Sequence, residues 1–234
     1  MYYPFFYDST YILVLIGVVI SMIASAKLNS TYQRYSSVRS MCGLTGAEVA
    51  QKLLNNQGIY DVTVRRVAGN LTDHYDPRTK TVNLSDSVYG STSIAAIGVA
   101  AHECGHAMQD ASDYSPLRIR AALVPAANLG SSLAWPLILI GLLLGGGGST
   151  LASIGILLFS LAVLFQLVTL PVEYNASGRA VRILAETGMM QGEEIVATKK
   201  VLNAAALTYV ASAAAAILQL VRILILTGGR RRDD

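Results

Sequence analysis

The stretch AAHECGHAMQD, residues 100–110, is the most informative part of the sequence, because it places two histidines four positions apart. Positions i and i+4 lie on one face of an α-helix, so His102 and His106 can both reach one tetrahedral zinc ion. Glu103 lies beside them, where a carboxylate can act as the general base that activates water. The stretch therefore predicts a helical zinc centre with His102 and His106 as ligands and Glu103 as the catalytic residue.

A five-residue match of this kind also arises by chance between two ordinary helix histidines, so its context matters. The chain has only three histidines, and two of them lie in this stretch. Three hydroxyl residues at 91–93 offer N-caps for a helix from about residue 94 to residue 110, and small and apolar residues fill one of its faces. This context favours the zinc interpretation.

A catalytic zinc site needs a third protein ligand and one position open to water. A third histidine six residues after His106 is excluded, because Ser112 stands there and Gln109 occupies the glycine position of that pattern. We therefore expect a carboxylate, and Glu173 in LPVEYNASGRA is the prediction, since a charge at the mouth of an apolar stretch is costly without a partner. The alternative is an interfacial glutamate paired with Arg179. Other carboxylates open to the ligand role are Asp110, Asp113, Glu186, Glu193 and Glu194.

The composition excludes several classes of protein. Of the 234 residues, 53% are hydrophobic and only 14% are charged, whereas an average soluble domain has roughly 25% charged residues. A disordered chain and an ordinary water-soluble globule are both excluded, and a net charge of +3 is too small to indicate a nucleic-acid partner. The apolar residues are grouped in long runs, so the fold class that we predict is a mainly α membrane protein, with about four transmembrane helices and a small α+β zinc-metalloprotease domain.

The predicted organisation alternates apolar and polar segments. Residues 1–26 form an N-terminal transmembrane helix, 27–120 a polar zinc-peptidase domain, and 121–170 a transmembrane hairpin that turns at four glycines, 145–148. Residues 171–200 form a polar helical segment with the third zinc ligand, and 201–234 form a last transmembrane helix and a basic tail. The sequence leaves open whether the last apolar stretch spans the membrane completely.

Within the polar domain, the capping-box pattern Thr45-Gly46-Ala47-Glu48 predicts a helix that Gly58 ends. Alternating valines at 62–67 and the segment 81–84 predict two short strands. The two cysteines, Cys42 and Cys104, are interpreted as reduced, buried thiols, because a disulfide-built domain would carry more.

Basic residues near the span ends predict the orientation. Nine of them lie in the two polar segments, against three in the C-terminal tail, which places both polar segments in the cytoplasm. The nine are Lys27, Arg34, Arg39, Arg118, Arg120, Arg179, Arg182, Lys199 and Lys200.

The sequence resembles the YugP-like family of membrane-bound neutral zinc metallopeptidases along nearly its whole length. The segments that carry the resemblance are HYDPRTKTVNLSDSVYGSTSIAAIGVAAHECGHAMQD, LPVEYNASGRA and KKVLNAAALTYVASAAAAIL. The resemblance implies a multi-pass protein of the bacterial cytoplasmic membrane, of gluzincin type, that uses one Zn²⁺ ion. It also implies His102, His106 and Glu173 as ligands and Glu103 as base.

One position departs from the family pattern. Members of the family more often carry Asp where Asn175 stands in this chain, and a carboxylate there could orient a ligand histidine and raise its basicity. Asparagine accepts a hydrogen bond without the charge, so we expect weaker zinc binding or activity but no loss of the metal. Candidates for oxyanion stabilisation are His74, Tyr174 and Arg179, and an extended substrate is hypothesised to pair with the edge of the strand at 80–84.

Three functions from different classes are compatible with these observations. The first is a membrane-anchored zinc endopeptidase that acts on proteins or peptides, membrane proteins among them, at the lipid interface. The second is a site-2-type intramembrane protease, although the apolar run 94–101 before His102 is about half of what spans a bilayer. The third is a non-catalytic membrane adaptor with a structural zinc, although such a site needs four protein ligands.

Overall fold

The structure is a computed structural model, and it describes residues 9–144 and 149–228. The predicted glycine turn at 145–148 and the basic tail lie outside the described residues. The described ranges contain seven helices and three strands. In chain order they are α1 Tyr11–Ser36, α2 Gly46–Asn56, β1 Thr63–Val67, β2 His74–Asp76, β3 Thr81–Ser85, α3 Asp86–Tyr89, α4 Ile94–Ala111, α5 Ser115–Leu143, α6 Ser149–Glu186 and α7 Glu193–Gly228.

The chain divides into two compact units. One, which we call the spanning unit, comprises residues 1–24, 119–170 and 208–234. The other, the polar unit, comprises residues 25–118 and 171–207.

Four helices of the described ranges, α1, α5, α6 and α7, are long and apolar enough to cross a membrane. In the spanning unit many large apolar side chains are exposed, among them Met22, Leu129, Leu143 and Leu157, as expected for a surface that faces lipid. The α5 and α6 helices pack closely there, since a Cβ added to Gly130 would lie 2.4 Å from the Leu158 carbonyl oxygen. The prediction of a mainly α membrane protein with a small α+β domain is confirmed.

The polar unit contains a large apolar core. Its largest fully buried side chains include Leu53 and Leu54 of α2, Leu84 of β3, Ile97 of α4 and Leu184 of α6. The α2 helix begins as predicted, because the Thr45 hydroxyl accepts a hydrogen bond from Glu48 N while the Glu48 carboxylate accepts one from Thr45 N.

The sheet of the polar unit has the strand order β1-β3-β2, with β1 parallel and β2 antiparallel to β3. All five residues of β3 are buried. The two predicted strands are confirmed, whereas the short edge strand β2 was not predicted. Since β3 is hydrogen-bonded on both sides, the hypothesis that a substrate pairs with the strand at 80–84 is wrong.

Several helices are longer than the sequence predicts. The α1 helix continues ten residues past the predicted span, to Ser36, and α5 begins at Ser115 instead of residue 121. The α6 helix runs through Pro171 without ending, although a new helical segment was predicted there. Hydropathy marks where a helix stops being apolar, but the helical hydrogen bonds of α1 and α5 continue into polar residues. In α6 the proline does not end the helix, because a proline inside a long apolar helix is tolerated.

Candidate metal centre

The α4 helix positions the two histidines of the motif. The Ser93 hydroxyl accepts a hydrogen bond from Ala96 N and so begins the helix, as the hydroxyl cluster predicts. His102 and His106 lie one turn apart on this helix, and their rings are 4.8 Å apart between centroids. The helix is almost entirely buried within the polar unit, so the two imidazoles have little freedom to reorient.

A close contact between α4 and α6 brings the third side chain to the pair. A Cβ added to Gly105 would lie 2.4 Å from the carbonyl oxygen of Ala176, a distance that real Cβ atoms do not reach. The glycine therefore allows the α6 backbone to lie directly against α4. Glu173, one turn before Ala176, is buried, with 2% of the residue exposed.

The three predicted ligand side chains converge. Glu173 Oε2 lies 3.2 Å from His102 Nε2 and 3.6 Å from His106 Nε2, and one ligand atom from each residue lies within 4.8 Å of the others. In a tetrahedral zinc site, bonds of about 2.0–2.2 Å put neighbouring ligand atoms about 3.3–3.5 Å apart. The two distances from the carboxylate therefore match the spacing of neighbouring zinc ligands. The donor set of two imidazoles and one carboxylate suits zinc and leaves one position of a tetrahedral site open.

Glu103 lies next to His102 on α4 and is buried. Burial raises the pKa of its carboxyl, and the neighbouring His102 and His106 oppose this effect. Within the described residues its carboxylate accepts no hydrogen bond, so its oxygens remain free to bind a water molecule. This is the state expected of a general base.

The His106 ring is held by a hydrogen-bonded chain that the sequence did not predict. Its Nδ1 lies 3.0 Å from Gln109 Oε1, and the Gln109 amide donates to the Val172 carbonyl at 2.7 Å and to Asn175 Oδ1 at 3.1 Å. Because both amide protons have acceptors, Oε1 faces the ring, and Nδ1 must carry the proton. The lone pair of Nε2 then points toward Glu173, as a metal ligand requires.

Burial alone would lower the pKa of the His106 imidazole, but the neighbouring carboxylates of Glu173 and Glu103 raise it overall. A zinc ion at the centre would compete with that proton, since metal ligation requires the neutral imidazole.

His102 is held in a comparable way by a second unpredicted partner. Its Nδ1 lies 3.0 Å from Ser177 Oγ, while Nε2 faces Glu173. Ser177 follows Glu173 by four residues on α6, so one face of that helix supplies both a ligand and a support for another ligand. The four-residue spacing of Glu173 and Ser177 within LPVEYNASGRA indicates that both lie on one helix face. The sequence alone does not show that the Ser177 hydroxyl contacts His102.

Asn175 does not contact a ligand histidine directly. Its Oδ1 accepts hydrogen bonds from Gln109 Nε2 and from Arg179 Nε, the second at 2.9 Å. The expectation that position 175 itself orients a histidine is therefore corrected, because the side chain acts through Gln109. Arg179 also donates to the Met108 carbonyl at 3.2 Å, whereas Glu173, the partner that the alternative interpretation gave it, lies against the two histidines.

The other candidate side chains are elsewhere in the polar unit. His74 lies on β2, with its ring nitrogens near the Thr72 carbonyl and the Asn83 amide. Tyr174 is 51% exposed and lines a groove outside the metal centre. Within the described ranges neither hydrogen-bonds to the three converging side chains, and the oxyanion roles of His74, Tyr174 and Arg179 stay predictions.

The rival carboxylates do not join the histidines. Asp110 accepts hydrogen bonds from Tyr75 and Lys80, each at 2.7 Å, and Glu194 accepts one from Met41 N at 2.8 Å. Asp113 pairs with Arg118. In the part of the chain that the structure describes, the group of His102, His106 and Glu173 is the only set of three potential ligands. Cys42 and Cys104 are free thiols, half-buried and buried.

Comparison with known proteins identifies the family of the chain. Residues 10–228 match the model of a family described as "Putative neutral zinc metallopeptidase". The chain is 47% identical over 212 residues to "Putative membrane protease YugP" of Bacillus subtilis (strain 168), a match that covers 90% of this chain and 93% of that protein. No solved structure gives a significant match. With a family match over almost all of its length, the chain belongs to the family of neutral zinc metallopeptidases, as the resemblance in its sequence indicates.

Proposed function

We propose that this protein is a membrane-anchored zinc endopeptidase of gluzincin type, which cleaves proteins or peptides with Glu103 as general base. The observation that supports the proposal most is the convergence of two imidazoles and one buried carboxylate, with ligand-atom distances of 3.2 and 3.6 Å. Each imidazole is oriented from its other nitrogen by a hydrogen bond, as in zinc sites where such partners fix the ring and raise its basicity.

His102, His106 and Glu173 would hold the ion, and the fourth position is left for water or substrate. Zinc bound there would lower the pKa of a water molecule and polarise the peptide carbonyl. With the ion bound, the Glu103 carboxylate would accept a proton from the attacking water and would then deliver it to the amine of the leaving peptide, which restores the carboxylate.

The site-2-type alternative is disfavoured by the placement of the motif. That class needs the histidine helix inside a membrane span, but α4 has 18 residues and is not among the four helices apolar enough to cross. The third ligand is a glutamate on α6, as a gluzincin requires. We therefore infer that cleavage occurs beside the membrane and not within it.

The adaptor alternative needs a fourth protein ligand to close a structural site. Cys104 is the nearest residue of a suitable type in the sequence, but its thiol donates to the Ala50 carbonyl at 3.5 Å. Among the described residues no fourth histidine, cysteine or carboxylate joins the group. The open position favours catalysis.

The experiment compares the purified full-length chain with the variants Glu103→Gln and Glu173→Ala. Zinc content is measured together with cleavage of casein and self-cleavage. We expect Glu103→Gln to keep one zinc per chain and lose about 100- to 10,000-fold in activity, because it removes the base alone. Glu173→Ala should lose the metal and the activity together.

Glu193→Gln is the matched control, since this exposed glutamate begins α7 away from the site; it should keep both zinc and activity. If Glu103→Gln cleaves as fast as the parent chain, the proposed base is wrong. Zinc retained in both site variants, with no cleavage by the parent, would instead identify a structural metal.

A further inference from the structure

The polar unit contains a groove of about 610 Å³ that none of the metal-centre residues line. We call it the basic groove. Helices α1, α6 and α7 form its walls, and every lining residue belongs to the polar unit. Its lining side chains include Lys27, Thr31 and Arg34 of α1, Tyr174 of α6, and Lys200 and Leu207 of α7.

Three of the lining side chains are basic and none is acidic. Within residues 9–144 and 149–228, no carboxylate forms an ion pair with Lys27, Arg34 or Lys200, in contrast to Lys80 and Arg118 of the same unit. Like charges that share one groove repel each other, and an anion placed between them would remove this repulsion. The groove therefore has the charge of an anion-binding site.

Hydroxyl groups complete the lining. Thr31 and Tyr174 line the groove, and within the described residues their hydroxyls donate to no other side chain or carbonyl. Phosphate oxygens accept hydrogen bonds from hydroxyls as well as from ammonium and guanidinium groups. This mixture suits a phosphate group better than a lone carboxylate, because a phosphate offers more acceptor oxygens.

The position of the groove along the helices indicates where the phosphate comes from. Lys27 directly follows the uncharged apolar residues 11–26 of α1, and Lys200 directly precedes the apolar stretch of α7 that begins at residue 201. Basic residues at such boundaries lie at the level of the lipid headgroups. Leu207, which is 40% exposed, adds an apolar surface to the lining on the α7 side.

We propose that the basic groove binds the headgroup phosphate of an anionic phospholipid. Lys27, Arg34 and Lys200 supply the charge, and Thr31 and Tyr174 donate hydrogen bonds to the phosphate oxygens. Basic pockets between membrane helices bind anionic lipids by this chemistry. The proposal does not depend on the peptidase function, because neither the three converging residues nor Glu103 lines the groove.

The test measures binding of phosphatidylglycerol and phosphatidylcholine of equal chain length to the full-length protein in a neutral detergent, by native mass spectrometry. We expect tighter binding of phosphatidylglycerol. A basic residue near a lipid surface contributes a factor of about five, so Lys200→Gln should weaken phosphatidylglycerol binding about fivefold, and the triple variant Lys27→Gln, Arg34→Gln, Lys200→Gln about 100-fold.

Lys199→Gln is the matched control for Lys200→Gln, because the two exposed lysines are neighbours on α7 and only Lys200 lines the groove. The triple control Lys52→Gln, Arg65→Gln, Lys199→Gln removes the same net charge from exposed positions outside the groove. Both controls should bind phosphatidylglycerol as the parent chain does. If the triple groove variant does not fold, the comparison of phosphatidylglycerol binding by Lys200→Gln and Lys199→Gln is sufficient to test the proposal.

Equal binding of the two lipids would overturn the proposal, as would equal weakening in the groove and control variants. Inorganic phosphate is the third probe. If it protects the protein against heat as well as phosphatidylglycerol does at the same concentration, and the groove variants abolish this protection, then the ligand is a soluble phosphate compound and the lipid assignment is wrong.

Discussion

At the scale of single residues, the metal centre depends on side chains that orient the ligands. Gln109 joins His106 to Asn175, and Asn175 is in turn held by Arg179. His102 and His106 could be predicted because their spacing on a helix is fixed by local geometry. Ser177 could not, because His102 is 75 positions away along the chain. Gln109 is only three residues from His106, but it is held there by Val172 and Asn175, 63 and 66 positions away, and only the packing of α4 against α6 brings these groups together.

The variant Gln109→Leu tests the orienting role. Leucine keeps most of the buried volume and removes the acceptor of the His106 Nδ1 proton, so we expect zinc affinity to fall about 10- to 100-fold. The measurement is competition for zinc with a chelator of known affinity. Gln51→Leu, at an exposed position of α2, is the control. Parental zinc affinity in Gln109→Leu would show that His106 needs no such support.

The variant Asn175→Asp changes the same hydrogen-bonded network, but we do not expect it to lower zinc affinity as Gln109→Leu does. Both neighbours of Oδ1 are donors, from Gln109 and Arg179, so a carboxylate fits and accepts stronger, charge-assisted hydrogen bonds. We expect zinc to be held at least as tightly as in the parent chain, in the same chelator competition. Weaker zinc binding would mean that the amide is required at position 175.

At the scale of secondary-structure elements, the contact between α4 and α6 determines whether a site exists. Gly105→Ala would place its Cβ 2.4 Å from the Ala176 carbonyl oxygen, which belongs to backbone that cannot rotate away. The helices must separate, and we expect a loss of about 1–3 kcal/mol in stability together with weaker zinc binding. Thermal unfolding in one detergent and the zinc content measure the two effects.

Gly178→Ala is the matched control on α6. No atom lies within 4 Å of a Cβ built there, and replacing a helical glycine by alanine is expected to stabilise by roughly 0.5–1 kcal/mol. Unchanged stability and zinc content in Gly105→Ala would show that α4 and α6 leave room for a Cβ at position 105.

Some helix and strand boundaries could be predicted from the sequence, and others could not. The start of α2 was predictable because Thr45 and Glu48 form a local capping box. The end of α1 was not, because its polar residues 27–36 carry no stop signal and the helix simply continues. The edge strand β2 has only three residues, too few for an alternating pattern, and its pairing with β3 is a tertiary effect.

At the scale of the whole molecule, the testable property is orientation in the membrane. Nine basic residues of the polar segments lie near the span ends, against three in the tail, and this difference predicts that 27–120 and 171–200 face the cytoplasm and that both termini face the opposite side. The substitution Tyr60→Cys, at a side chain that is 78% exposed, should react with a membrane-impermeant maleimide only after the cells are permeabilised.

Cys42→Ser and Cys104→Ala are made in the same chain, so that position 60 carries the only thiol. An alkaline phosphatase fused after residue 234 should be active, since the fusion would lie outside the cytoplasm. Labelling of position 60 in intact cells would show that the orientation is opposite to the predicted one. An inactive fusion together with an unlabelled position 60 would mean that α7 does not cross the membrane.

The continuity of α6 through Pro171 limits how this protein can be divided experimentally. The helix has 38 residues, and Glu173 lies on it 24 positions after its first residue. A water-soluble fragment cut at residue 120 would retain the histidine motif complete, yet it would lack the carboxylate and Ser177. A catalytic domain of this chain therefore cannot be excised as one uninterrupted polar piece, and biochemical work on it must begin with solubilised, full-length protein.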